Sequence, residues 1–408
     1  MLQCENYSDL EIILGSYEEF VIGYKPLKAE DGMVTLSQSF ANHSHRASVR
    51  CVASGGRFMA SGGADDNIQL YDMKLRKEMG VLMHHEKTVT CVAFVGTSHL
   101  ISGSEDGDVV IWRSGNWQCE KIWTAHKDGG VTSIAVHPSG KLCLTVGRDQ
   151  TLKTWNLVKG RSAYTTNLHA QGEDLSFSES GEHYAVLKLM KGGAQFSVDV
   201  YSIVVAGVVY SVVPESRPSS ITFLKDDFIA IGTDTGSVEI HQISKKSCVC
   251  KFKTKSTRIR KIGAVQFSSG EAWLVTAASN GEICIYSFKK ISDEEDLGSP
   301  KLIGSVSAGC RPTCLALVLA PVDAVQPKVK AEEEEKKVLV PFEKKVTNKR
   351  GTVTVELEDS DEEDRKLAKV NKLRNKKKKV QKKQTNNAEG EGRKTKKNKN
   401  NVKNRKSK

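Results

Sequence analysis

Hydrophobic and polar positions alternate in short bursts through most of the chain. Thr88–Phe94, His99–Ser102 and Asp108–Trp112 are rich in valine, isoleucine, threonine and aromatic residues, and clusters of glycine, aspartate, asparagine and serine separate them. Period-two alternation bounded by turn residues is the pattern of half-buried strands joined by hairpins, and the helical period of 3.6 residues is missing. The chain therefore predicts an all-β fold of many short strands.

The bursts repeat at a period near forty residues. His45 leads to Ala60-Ser61-Gly62-Gly63-Ala64-Asp65 and then to Ile68-Gln69-Leu70-Tyr71-Asp72. His85 leads to Ser102-Gly103-Ser104-Glu105-Asp106-Gly107 and to Trp112; His126 leads to Thr145-Val146-Gly147-Arg148-Asp149 and to Trp155. The histidines are 40 and 41 residues apart, and the closing aromatics Tyr71, Trp112 and Trp155 are 41 and 43 apart. Weaker copies end at Tyr201, His241 and Tyr286, with spacings of 46, 40 and 45. Four short strands in about forty residues make one blade of a β-propeller.

The His…Ser-Gly-Ser-x-Asp…Ile-Trp pattern resembles the WD-repeat family, specifically over Ala41–Asn156 and more weakly over Gln171–Ser287. The runs His137–Leu142, Thr151–Ala163 and His99–Gly107, with a lysine-rich end, further resemble the p21-activated kinase-interacting protein family, over Leu14–Leu319 in order. The first resemblance implies a buried hydrogen-bonded tetrad in each strong copy. The sets are His45, Ser61, Asp65 and Tyr71; His85, Ser102, Asp106 and Trp112; and His126, Thr145, Asp149 and Trp155. The physical reason is that a tight turn leaves polar groups inside packed sheet, where carboxylate and imidazole satisfy each other. His241 stands at a tryptophan position, and Thr235 and Asn280 stand at aspartate positions, so no tetrad is expected in the later copies.

Six copies leave strand-like segments at both ends: Leu10–Tyr17, Glu19–Tyr24 and Met33–Phe40, and then Thr313–Leu319. An open propeller would expose two long sheet edges, which invite aggregation. One C-terminal and three N-terminal strands would instead complete a seventh blade. The expected fold is a seven-bladed WD-repeat β-propeller over residues 1–326, with a disordered basic C-terminal tail over 327–408. Ile291–Pro300 is expected to be an exposed loop and Lys191–Ala194 a turn.

Charge sharpens this division. Pro327–Lys408 holds 28 Lys and Arg against 14 Asp and Glu, whereas Met1–Gln326 holds 33 against 35. From Arg365 onward the balance is 20 against 2, and Phe342 is the one aromatic after Gln326. Such a segment cannot bury enough apolar surface to offset its ordering entropy. Lys372, Arg374, Lys376, Lys377, Lys378, Lys379, Lys382 and Lys383 have the composition of a nuclear or nucleolar signal, or of a contact to RNA phosphates. No aromatic interleaves these cations, so base stacking is not expected. Ser360, in Ser360-Asp361-Glu362-Glu363, is a candidate for an acidophilic kinase, with an unmodified acidic spacer as the plain alternative.

Chemistry is excluded more than it is indicated. A Ser/His/Asp set is also hydrolase material, but this one recurs three times at the blade period and no G-x-S-x-G elbow is present. His43, His45, His84 and His85 have no carboxylate or cysteine at ligand spacing, and the ten cysteines include no C-x-x-C, so no metal is expected. Several cysteines, such as Cys51 and Cys91, sit in apolar strand-like runs and read as buried free thiols. No apolar run approaches the length of a membrane span, and no Asp-x-Arg follows Trp112 or Trp155, as a ubiquitin-ligase substrate receptor would want. No enzyme activity, cofactor or membrane association is expected.

The family resemblance implies a nuclear and nucleolar scaffold in large (60S) ribosomal subunit biogenesis, with assembly factors and pre-ribosomal RNA as partners and the chain a monomer within a larger complex. The alternative it implies is negative regulation of p21-activated kinase signalling through the kinase's regulatory region.

Overall fold

A computed structural model of the protein describes residues 2–4, 6–29, 32–190, 195–289 and 298–319. The turn expected at Lys191–Ala194, residues 291–297 of the expected loop, Ser360, the basic cluster Lys372–Lys383 and the whole tail expectation lie outside these residues.

Among the described residues, twenty-nine strands follow one another with one 3-10 turn at Tyr7–Asp9. The first four are β1 (Leu2–Cys4), β2 (Leu10–Ser16), β3 (Phe20–Lys28) and β4 (Val34–His43). Blade one is β5 (Val49–Gly55), β6 (Phe58–Gly63), β7 (Asn67–Asp72) and β8 (Lys77–Met83); blade two is β9 (Val89–Val95), β10 (His99–Ser104), β11 (Asp108–Arg113) and β12 (Gln118–Thr124). Blade three is β13 (Val131–Val136), β14 (Leu142–Gly147), β15 (Thr151–Asn156) and β16 (Arg161–Asn167); blade four is β17 (Gln171–Phe177), β18 (His183–Leu189), β19 (Phe196–Ser202) and β20 (Gly207–Val212). Blade five is β21 (Pro218–Lys225), β22 (Phe228–Thr233), β23 (Ser237–Gln242) and β24 (Ser247–Lys253), and blade six is β25 (Ile259–Phe267), β26 (Ala272–Ala278), β27 (Glu282–Phe288) and β28 (Lys301–Ser307).

The last sheet is ordered β29 (Pro312–Leu319), β2, β3, β4, so strands from the two ends of the chain share it. Successive inner strands touch all the way round, and β29 touches β5. The fold is a closed, seven-bladed, all-β propeller.

Burial follows the same plan. Seven hydrophobic clusters exist, and each joins residues of two neighbouring blades. Leu100 and Trp112 of blade two pack with Ala60 and Leu70 of blade one, for example. Outer strands such as β8 and β12 are largely exposed, and β12 is mostly polar whereas β8 leaves Met79, Val81 and Met83 at the surface. The seam of blades six and seven carries an addition: β1 pairs in parallel with the inner strand β25, and Tyr7 stacks on Trp273 at 4.8 Å.

Candidate functional site

The twelve residues singled out by the repeat come together as three sets, each between the loop entering a blade and the turn joining its second and third strands. In blade two, His85 Nδ1 lies 3.0 Å from Asp106, His85 Nε2 lies 2.8 Å from Ser102 Oγ, and Trp112 Nε1 donates to Ser102 Oγ at 2.9 Å. In blade three the corresponding distances are 2.9 Å from His126 to Asp149, 2.9 Å to Thr145 and 2.9 Å from Trp155 to Thr145. In blade one, His45 lies 3.0 Å from Asp65 and 2.8 Å from Ser61, and Ser61 lies 3.4 Å from the Tyr71 hydroxyl.

In blades two and three the carboxylate accepts from Nδ1–H, and with Nε2 as acceptor the hydroxyl donates to it while accepting the indole N–H on a lone pair. Ser61, Ser102 and Thr145 are all fully buried. Each hydroxyl is thus held at both ends and closed off from solvent, unlike a nucleophile awaiting substrate.

The aspartates hold their charge. Burial alone would push the Asp106 carboxyl up, but hydrogen bonds from His85 and from the Asp108 and Glu86 backbones outweigh it and bring it down to about 2. Asp65 and Asp149 are lowered by the same competition. Gly63 and Gly147 leave the space the imidazoles need: a Cβ at Gly147 would lie 2.7 Å from the His126 ring, and one at Gly63 2.5 Å from His45 Nδ1.

Blades four to six are built differently. Strand register places Val186, Ile231 and Thr276 where Ser102 stands in blade two. His241 is bound instead by the Tyr210 hydroxyl at 2.9 Å, and Thr235 joins Ser216 and Thr233 in a chain of hydroxyls at 2.9 and 3.1 Å. Asn280 accepts from the Glu282 backbone in its own turn.

A second arrangement, not singled out in the sequence, lies at the mouth of the central channel on the face that carries the tetrads. All seven inner strands shift register by one residue near their start. The bulged residues are Arg50, Thr90, Thr132, Glu173, Ser219, Arg260 and Thr313. A bulge re-aims its side chain, and here the seven line a cavity of about 430 Å³. Thr90 donates to Val131 O of the next blade, Thr132 to Gly172 O and Thr313 to Val49 O, each 2.5–2.6 Å. These hydroxyls staple blade to blade. Arg50, Glu173 and Arg260 occupy the same position with charged groups instead.

Deeper in the channel, Lys261 Nζ is 2.7 Å from Asp174, which also accepts from the backbone of Leu175 and Ile221. Cys51, Cys91 and Cys314 line the opposite wall. Burial pushes their thiols up, Cys91 to about 12 and Cys314 to about 11, so they are neutral small hydrophobes. Among the described residues no group of three or more His, Cys, Asp or Glu side chains is placed to hold a metal, and no helix is long and apolar enough to cross a membrane. The signal that would have found the mouth is the bulge, and a bulge is visible only once the facing strand is known.

Comparison with known proteins agrees with this architecture. The family described as "WD domain, G-beta repeat" matches residues 35–72, 76–113 and 117–156. Each matched unit begins at the outer strand of one blade and ends at the third strand of the next, one strand out of phase with the blades. The chain is 39% identical over 308 residues to the p21-activated protein kinase-interacting protein 1-like protein of Danio rerio, covering 76% of this chain and 80% of that one. It is 32% identical to p21-activated protein kinase-interacting protein 1 of Homo sapiens, covering 76% and 77%. It is 22% identical to Protein MAK11 of Saccharomyces cerevisiae, covering 86% and 98%.

Proposed function

Because the chain belongs to the WD-repeat family of p21-activated protein kinase-interacting protein 1-like proteins, we propose that it is a non-enzymatic scaffold for assembly of the large ribosomal subunit in the nucleus and nucleolus. The observation that carries the assembly reading is the segregation of charge. Residues 365–408 hold 20 basic and 2 acidic residues, while Met1–Gln326 is close to neutral. Ribosome precursors are dense in phosphate, and a lysine-rich segment gains affinity there by counterion release, without reading sequence. The rigid ring then offers a surface for protein segments, while Lys372, Arg374, Lys376–Lys379, Lys382 and Lys383 supply address and electrostatic affinity.

The non-enzymatic part rests on the tetrads. Among the described residues, the Ser/His/Asp sets that could be read as catalytic are buried, repeated and hydrogen-bonded at both ends of the hydroxyl, whereas an active site needs an open reacting atom.

A second reading is favoured by what the relatives are called. Two of them are named for interaction with a p21-activated protein kinase. On this reading the propeller binds the regulatory region of such a kinase and restrains its activation, which is compatible with a role in assembly. Independently of either reading, Ser360 among its acidic neighbours is a candidate for an acidophilic kinase, where phosphorylation would add negative charge beside the basic block.

Sedimentation of nuclear extract separates the two. The assembly reading expects the protein to co-sediment with large-subunit precursors and to leave them as salt is raised. Migration with a p21-activated kinase, away from precursor particles at every salt concentration, would replace it with the signalling reading.

A further inference from the structure

The bulge ring is divided in charge. Arg50 of blade one and Arg260 of blade six stand at equivalent bulged positions on either side of blade seven, and Arg258 lies two residues before Arg260. All three are exposed at the channel mouth, and among the described residues none has a carboxylate within ion-pair distance. Arg260 is held below its ordinary value by partial burial first, and then by repulsion from Arg258, Arg50 and Arg311. Like charges gathered without counter-ions oppose folding. Beside them is a smaller cavity of about 200 Å³ lined by Tyr17, Arg260, Ser279 and Arg311. The Ser279 hydroxyl oxygen there is buried and has no hydrogen-bond partner, an unusual state for such a group. The opposite arc of the mouth carries Glu173 and Asp234 with Arg217 beside them, while Asp174 below is already paired with Lys261.

We propose that the arc formed by Arg50, Arg258 and Arg260 is a docking site for an acidic segment of a protein partner, whose carboxylates enter the channel mouth. Guanidinium forks bind carboxylates through paired N–H donors, and Ser279 supplies a further donor within reach of the smaller cavity. The split field selects the class of partner. A continuous phosphate backbone crossing the mouth would meet Glu173 and Asp234 on the far side, whereas a short acidic stretch followed by neutral or basic residues matches both arcs. The inference rests on the reading of the chain as a binding platform, and on neither of its two named assignments.

The test is residue-resolved protection of arginines in the full-length protein. Hexaglutamate peptide is titrated against phenylglyoxal modification, read by mass spectrometry, with a hexanucleotide single-stranded RNA as the competing probe. Hexaglutamate should protect Arg50, Arg258 and Arg260 at concentrations where Arg113, Arg161 and the C-terminal Arg374 and Arg393 still react. In the Arg260→Gln variant the concentration that protects Arg50 and Arg258 should rise about tenfold, as loss of one charge-assisted contact implies, with the melting transition unchanged or raised by the relieved repulsion. Protection confined to Arg374 and Arg393 would overturn the proposal, as would unchanged midpoints in Arg260→Gln. Protection of the mouth by the RNA at equal or lower concentration would also overturn it, and would make this a nucleic-acid surface. Each of these failures leaves co-sedimentation with precursor particles where it was, since the basic segment carries that reading.

Discussion

One hydroxyl that accepts from an indole and donates to an imidazole distinguishes blades two and three from the later blades. Because the carboxylate at the far end of the imidazole is Asp106, its charge is tied to folding. Its folded value, about 2, lies below the unfolded value of about 3.9, so it contributes stability above pH 4 that is lost as pH falls toward 2. The amount is about 2 kcal/mol from Asp106 alone, and Asp65 and Asp149 shift in the same direction. Urea midpoints measured between pH 6 and pH 2 should fall steeply below about pH 4, and Asp106→Asn should flatten that fall; an identical pH profile in the variant would disprove the linkage. Gly147→Ala should destabilise by about 1–3 kcal/mol, because the new methyl group would meet the Gly130 carbonyl oxygen at 2.5 Å and the His126 ring at 2.7 Å. Denaturant unfolding measures it. The histidines, aspartates and closing aromatics recur visibly at the blade period, but grouping them with a strand Ser or Thr as tetrads came from the resemblance to WD repeats. The bulged ring is not visible in this way: Arg50, Thr132 and Glu173 look unrelated until each is set against its partner strand.

At the scale of strands and seams, the hydrophobic clusters among the described residues each join two neighbouring blades, so the seams carry much of the apolar packing. The seam of blades seven and one also carries a buried ion pair. Glu11 on β2 is fully buried and accepts both guanidinium nitrogens of Arg76, which follows β7, at 2.8 and 2.9 Å, and Ser39 also donates to it. Arg76→Ala should cost about 3 kcal/mol or more, because it leaves a buried carboxylate without its partner. The thermal midpoint of this variant should drop well beyond that of Arg113→Ala, whose guanidinium is exposed on an outer position. Equal midpoints would show the seam to be unimportant. The sequence marked most strands because turn residues bracket them. It was less informative where turns are apolar. The run Ile203–Val213 has the length of one strand, yet the chain turns at Ile203–Ala206 and returns as β20. No glycine precedes Gly207 there, so nothing in the pattern announced the turn. The parallel strand β1 also went unseen, since three residues carry no period.

For the whole molecule, the ends of the chain matter most. The last sheet takes its inner strand from Pro312–Leu319 and its other three from residues 10–43, while β1 reaches across to blade six. Deletion of the residues before Ala41 should therefore abolish cooperative melting of the entire ring; a soluble truncation with a sharp transition would contradict closure by both ends. At this scale the sequence shows a division of charge, near-neutral over Met1–Gln326 and strongly basic over residues 365–408, on which the proposed function rests. Which surface of the ring holds which segment depends on side chains that converge from seven blades, and such convergence is absent from any linear pattern. The central claim is that this chain is a platform whose basic end joins it to ribosome precursors. Its most direct test is a pull-down from nuclear extract with full-length protein. The comparison is a full-length variant in which Lys372, Arg374, Lys376, Lys377, Lys378, Lys379, Lys382 and Lys383 are all changed to glutamine. The account expects the unaltered protein to recover large-subunit precursor RNA with assembly factors, and the variant to lose most of the RNA. Recovery of a p21-activated kinase by both proteins, with precursor RNA in neither, would contradict it.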